Sequence, residues 1–330
     1  MPWGGKHIPS MHNLIDRIGR EVRVKYGILL LALAVSATGC AGKKHLTADQ
    51  YFNDATRDFR SGALTLAADE FHELLDEYPF SEYNEEAELK IAHAQYLNGN
   101  YLEAIVALTD FQRRHPTSPH LPFVGYCLGM CYARQMGTID RDQTSAQNAE
   151  TYFLTVSRQY PESPFAELAR QELARCRENL AQHELYVADF YERNGNNKAA
   201  EIRILTMASR FSDTDAAADG LLGLARLYRR SRHDENAVLA YQALAQLHPT
   251  GAQVETARRA LRQLSDVDPP AAGDPLDLLL AANGRQRSTG TFETVQVPGL
   301  EPTRTAHRPT GAGAPAMVPP FDPFGRGRAY

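Results

Sequence analysis

The chain has four cysteines, and one of them stands apart. Cys40 follows the apolar stretch YGILLLALAVSATG (26–39) and precedes the polar run AGKKHLTADQ. A thiol at such a boundary has three possible fates: burial in a membrane helix, pairing in a disulfide, or acylation as the first residue of a mature chain. The uninterrupted apolar part is only about nine residues, whereas a bilayer span needs ~20. Arg17, Arg20, Arg23 and Lys25 come before it, opposed only by Asp16 and Glu21, and Ser36, Ala37, Thr38 and Gly39 come after. That order of basic, apolar and small residues is the order of a secretory leader.

The small residues ending at Cys40 resemble a bacterial lipobox, with Ala37 at the position where leucine is usual. In that motif the cysteine is lipidated and becomes the new N-terminus. The competing reading is an ordinary leader cleaved near Ala37, with Cys40 incidental. Residues 1–39 are therefore expected to be a lipoprotein-type signal peptide. Initiation is expected at Met11, or at Val22 or Val24 through an alternative start codon. A single acyl chain anchors only marginally and two anchor stably, so with a multiply acylated cysteine no protein segment need enter the membrane. Residue 41 is alanine rather than the aspartate that retains lipoproteins at the inner membrane. By resemblance to those sorting rules, the expected location is the periplasmic face of an outer membrane.

The other cysteines are Cys127, Cys131 and Cys176. Two that lie four apart on one helix suit a disulfide poorly, and no second pair or histidine spacing completes a zinc site. They read as buried small hydrophobes, or as one of the pair bridged to Cys176. His93 lies five residues from Glu88, and His183 is adjacent to Glu184, but neither pair makes a metal site. There is no glycine-rich phosphate loop, no HExxH and no GxSxG elbow. The reading is of a protein that is not an enzyme and has no cofactor or metal beyond a covalent lipid on Cys40.

The chain carries 35 Lys+Arg against 40 Asp+Glu. Residues 1–39 hold five of the former and two of the latter, so the mature chain stands at −8. An acidic balance argues against nucleic acid as a partner and against a polybasic attachment to anionic lipid.

What must position any binding residues is a repeat. Five eighteen-residue segments share a template: 62–79, 99–116, 144–161, 195–212 and 232–249. Each has an alanine five positions in (Ala67, Ala104, Ala149, Ala200, Ala237) and a large apolar residue four further on (Phe71, Leu108, Phe153, Ile204, Tyr241). Four end in proline, and Ser212 is the exception. Alanine lets two helices approach, the larger side chain fills the seam on the same face, and proline ends the helix. A small residue recurs seven positions before the segment at Ala55, Ala92, Ala188 and Ala225. In the third copy it is Gly129, displaced by the insertion GTIDRDQT (137–144). Each unit thus reads as helix, turn, helix, and the fold class as an all-α tetratricopeptide-repeat superhelix of five units.

Residues 165–195 contain no proline and no glycine before Gly195, so one long helix is expected at the junction of units three and four. The organisation that follows is a lipidated tether (40–46), an N-terminal lobe of three units (47–163), a C-terminal lobe of two (164–262), and a Pro/Gly-rich disordered tail (263–330). Residues 266–330 hold ten of the nineteen prolines and no lysine, a composition unable to bury a core. DPLDLLLAAN (274–283) is the exception, expected as a short amphipathic helix on a partner.

Helical arrays offer grooves to extended or helical peptides, lined in this repeat class by the first helix of each pair. The candidates are Phe52, Phe59 and Arg60 in unit one and Leu89, His93 and Tyr96 in unit two. In unit three they are Phe123, Tyr126, Met130 and Arg134. Aromatics with a few cations suit an extended peptide carrying aromatic side chains and a carboxylate. The alternative for each is ordinary inter-helix core.

Three stretches carry a family resemblance: 78–131 (from YPFSEYNEEAELK), 140–165 (ending YPESPF) and 180–203 (containing FYERNG). With the lipobox, they resemble the BamD-type lipoproteins of the outer-membrane β-barrel assembly machinery, over about residues 40–250. The resemblance implies a scaffold. Its C-terminal repeats would dock a BamA-like β-barrel insertase, with other lipoproteins of the machinery alongside, and its N-terminal repeats would receive unfolded outer-membrane proteins. Arg203 matches a family arginine at the insertase interface, with Tyr191, Glu192 and Arg193 beside it in the motif. The Pro/Gly-rich tail departs from that pattern. The alternatives are another periplasmic repeat lipoprotein that coordinates peptidoglycan or envelope machinery, and an envelope enzyme whose site carries no motif.

Overall fold

The computed structural model describes residues 46–268 and 272–287. The leader, Cys40, nearly all of the tether and the tail beyond 287 lie outside the described residues. Among the described residues there are twelve helices and no strand.

The five template segments become the second helices of five hairpins. The pairs are α1 (Ala48–Ser61) with α2 (Leu64–Glu77), α3 (Asn84–Leu97) with α4 (Tyr101–Arg114), and α5 (Leu121–Ala133) with α6 (Thr144–Gln159). Next come α7 (Pro164–Arg193) with α8 (Asn197–Arg210) and α9 (Asp215–Arg230) with α10 (Asp234–Leu247). All five template alanines are fully buried, as are Phe71, Leu108 and Phe153. The small residues of the first helices meet them: Ala55, Ala92 and Ala225 are fully buried, and a Cβ on Gly129 would sit 2.5 Å from the Phe153 ring. Close approach is the reason for the pattern, because anything larger would push the helices apart.

Helix ends follow from local chemistry. α2, α4, α6 and α10 each stop at the residue before proline: Tyr78, His115, Tyr160 and His248. α8 stops in the same way at Phe211, where serine replaces the proline. The tight turn inside a hairpin needs a left-handed residue, and Gly62, Gly99 and Gly195 supply it; in the fifth pair Arg232 takes that position at φ 60°. The third pair uses the insertion instead. Gln143 donates to the carbonyls of Thr138 and Arg141, and His183 of α7 lies 2.6 Å from the Ile139 carbonyl.

α7 is one continuous helix of thirty residues, capped by Ser163 with Pro164 in its first turn. It packs on both α6 and α8, with Ala169 and Cys176 against Phe153 and Val156 and with Glu184 paired to Arg203, so it serves two hairpins. α11 (Val254–Gln263) closes the array against α10.

The stretch expected to dock on a partner folds back on this chain. Residues 275–282 form α12 (Pro275–Ala282), which lies on α10 and α8 with Leu276, Leu279 and Leu280 buried. Asp274 accepts from the amides of Leu276 and Asp277, and Gln246 donates to it at 3.0 Å. The helix is where the sequence placed it, but the groove that covers it belongs to this chain and not to a partner. Eight residues with four leucines need only a local apolar groove, and the second helices of pairs four and five provide one.

Candidate functional site

The groove candidates divide by depth. Leu89, His93, Phe123, Phe59 and Met130 are buried. Phe52, Tyr96 and Tyr126 are half-buried, and Arg60 and Arg134 are exposed. Buried and half-buried rings together form a ladder along the first helices. Phe52 stacks on Tyr83 at 4.6 Å, Phe59 is 5.5 Å from His93, and His93 is 5.1 Å from Phe123. Phe123 continues to Phe165 of α7 at 5.3 Å, which in turn meets Tyr126 at 5.8 Å. Such edge and offset contacts stiffen the seam between hairpins.

Within the ladder, His93 is held neutral. Burial, reinforced by the Lys90 ammonium, pulls its imidazole down to about 4, and its Nδ1 has no hydrogen-bond partner. What remains at the surface is Tyr96, hydrogen-bonded to Arg134, with Tyr126 and Glu172 close by. Burial, with the negative charge of Glu172, pushes the Tyr126 phenol up to about 12. Both phenols are thus neutral donors and acceptors at any physiological pH, beside a guanidinium that suits a carboxylate or a peptide carbonyl. This cluster offers one cation and two neutral phenols for hydrogen bonding.

A second locus lies on α7 and α8. Arg203 pairs with Glu184 at 2.8 Å and remains partly open to solvent. Glu192 pairs with Arg230, and Arg193 donates to the Asp189 carbonyl at 3.2 Å. Tyr191 is half-buried against Phe190, the ring centroids 5.8 Å apart. Tyr186 (43% exposed) and Phe190 (54% exposed) present an apolar step one turn long beside these ion pairs. Sequence reasoning did not single them out. The signal was available, since Ala188 fixes the buried face and places 186 and 190 together off it.

A third cluster was not anticipated. Glu150 of α6, 3% exposed, pairs with Arg177 of α7 at 3.1 Å and with Arg210 of α8 at 2.9 Å. Arg177 also holds Asp213 at 2.5 Å and the Arg210 carbonyl. Partial burial would raise the Asp213 carboxyl, but the hydrogen bonds and charge of Arg177 outweigh it and keep that carboxyl below its ordinary value. This network locks three hairpin elements together and is structural.

The three cysteines are free and buried. Burial pushes the thiols of Cys131 and Cys176 to about 12 and that of Cys127 well above its usual value. No bridge to Cys176 is present. Among the described residues, no group of three or more metal-ligating side chains is placed to hold an ion. None of the described helices is long and apolar enough to cross a membrane.

The family model for YfiO, an outer membrane lipoprotein, matches residues 44–242, well over half of the chain. The chain belongs to the YfiO family. Its YfiO-type segment spans all of the first four hairpins and reaches into α10. Among similar proteins is the outer membrane protein assembly factor BamD of Vibrio cholerae, 28% identical over 213 residues, covering 60% of this chain and 88% of that protein. BamD of Pasteurella multocida is 27% identical over 216 residues, covering 62% and 82%. BamD of Caulobacter vibrioides is 26% identical over 209 residues, covering 61% and 68%.

Proposed function

We propose that this protein is a lipid-anchored scaffold subunit of the outer-membrane β-barrel assembly machinery. Cys40 carries the lipid and holds the chain at the periplasmic face. The second locus, Arg203 with Tyr191, Glu192 and Arg193, docks a BamA-like insertase, and Tyr186 and Phe190 supply the apolar part of that contact. The Tyr96–Tyr126–Arg134 cluster receives extended segments of unfolded outer-membrane proteins, with the guanidinium on a carboxylate and the phenols on backbone groups. Other lipoproteins of the machinery complete the assembly.

The observation that carries the reading is membership of the outer membrane lipoprotein family, together with relatives named as assembly factors. The exposed aromatic step beside partly open ion pairs supports it, because aromatics and arginines are what interfaces select. The test is affinity purification of the full-length chain from detergent-solubilised outer membranes, with every co-purifying chain identified. Recovery of a large barrel protein bearing periplasmic repeats, weakened at least about tenfold by Arg203→Glu, is the expected result. Recovery of cell-wall enzymes or a secretion ring in its place would overturn the assembly reading.

A further inference from the structure

α12 shows what the groove between consecutive second helices accepts. Its Leu276, Leu279 and Leu280 are buried in one apolar cluster with Ala208, Leu224, Leu239 and Ala240 of the fourth and fifth pairs. The same template positions at the other end of the array are Leu75, Ile91, Val106 and Ala107. They line a groove between α2 and α4, floored by α3, with a volume of about 500 Å³. No described helix covers it. Leu239 is 2% exposed, while its counterpart Val106 is 63% exposed and Leu102 beside it 67%.

The two grooves differ at the rim. Asp110 and Glu88 stand where the C-terminal groove has Ala243 and Leu221, and Glu103 adds a third carboxylate. Arg114 also lines the groove and pairs with Glu88, and Arg113 pairs with Asp110 at 2.8 Å, so the lining sets three acids against one cation and stays net acidic. The α2 wall carries Asp69, Glu73, Asp76 and Glu77 at its surface, with no lysine or arginine anywhere in Leu64–Glu77. An apolar floor with an acidic rim selects an apolar helix with cationic flanks. α12 of a second copy is already committed, with its leucines buried in its own groove and its Asp274 and Asp277 paired with Arg287, so it brings no free cations to this one. Residues 288–330 hold four arginines, but they have a single leucine, and prolines separate most of their bulky side chains, so they supply no leucines one turn apart.

We propose that the α2–α4 groove docks a short amphipathic helix of another protein, with leucine-sized side chains one turn apart on its buried face and lysine or arginine on its flanks.

The test is fluorescence anisotropy on the full-length protein in non-ionic detergent. The probe is a labelled, hydrocarbon-stapled peptide of about three helical turns, leucine at i, i+3 and i+4 and lysine elsewhere. A twin with glutamate for lysine is the control. Saturable binding is expected, at least about tenfold tighter for the lysine peptide than for its twin. Val106→Arg and Leu102→Ser are expected to weaken it at least about tenfold with unchanged melting, because both side chains are exposed. The proposal is overturned by absent or non-saturable binding, by equal affinity for the twin, or by binding that both variants leave intact. Dimers dispersed by Val106→Arg would overturn it in favour of self-association. Displacement of the probe by a synthetic peptide of residues 288–330 would assign the groove to the tail.

Discussion

The carboxylate of Glu150 lies 3.1 Å from Arg177 and 2.9 Å from Arg210, so one buried acid on α6 holds cations from both α7 and α8. Removing one member of a buried ion network costs more than the network contributes, because the partner is left charged in a poor solvent. Arg177 keeps Asp213 as a second partner, and Arg210 is partly solvated. Glu150→Ala is therefore expected to cost about 2–3 kcal/mol rather than the full penalty, read as a shift of the urea midpoint. Asp213 adds a pH signature. Its carboxyl is depressed in the fold, so its contribution is present above the ordinary aspartate pKa and is lost as pH falls through the folded value. In Arg177→Met that part of the acid sensitivity should disappear.

His93 predicts pH dependence in a different window. Its folded pKa of about 4 lies below the ordinary 6.5, so the unfolded chain takes up a proton first as pH falls. Stability from this group is complete above 6.5, declines below it, and levels off near 4. The loss between pH 7 and pH 5 is about 2 kcal/mol. His93→Phe, which keeps a ring between Phe59 and Phe123, should flatten the unfolding free energy between those pH values relative to the parent. An unchanged slope would show that the imidazole titrates normally.

Arg232 occupies the left-handed position that glycine holds in three other hairpins. A non-glycine residue there costs about 1 kcal/mol, partly offset by its smaller unfolded entropy. Arg232→Gly is expected to raise stability by about 0.5 kcal/mol or leave it unchanged. The reverse change, Gly99→Arg, should lower it by about 0.5 kcal/mol or leave it unchanged, since a Cβ there meets nothing within 4 Å. Paired urea titrations check both.

α12 is held by three buried leucines and by Asn283, which donates to Glu201 at 2.7 Å. Glu201 also accepts from Tyr228 at 2.6 Å. Leu279→Asp places a charge on the buried face and should release α12 without melting the hairpins. Limited proteolysis is the measure. Cleavage between Gln263 and Pro275 should accelerate at least about tenfold, with far-UV helicity nearly unchanged.

The repeat was legible because close helix packing imposes one residue size at one position, and five copies of that demand stand out. Template alanine, seam residue and terminal proline each mark the place the structure gives them. The long α7 was legible because nothing in 165–193 can stop a helix. The ladder was harder. Spacing brought Leu89, His93 and Phe123 to the first helices, but periodicity does not tell a residue facing a neighbouring hairpin from one facing a peptide. Only the neighbour's position decides that, and it buries those three while leaving Tyr96, Tyr126 and Arg134 within reach of solvent. Glu150 was invisible for a related reason: its partners lie 27 and 60 residues away. α12 was legible as a helix from its clustered leucines, but local sequence does not say whether the groove that buries them lies on a partner or on this chain.

At 1.5 Å per residue, the thirty residues of α7 make a rod of about 45 Å. Stacked hairpins ordinarily meet at joints where a chain can bend, or where one unit can fray without its neighbour. Here the third and fourth units share a member, and Glu150 rivets its middle to both sides. A displacement at one end of that rod must arrive at the other as a rigid rotation. The Tyr96–Tyr126–Arg134 cluster beside its first turns and the aromatic step near its last are thus the two ends of a single lever.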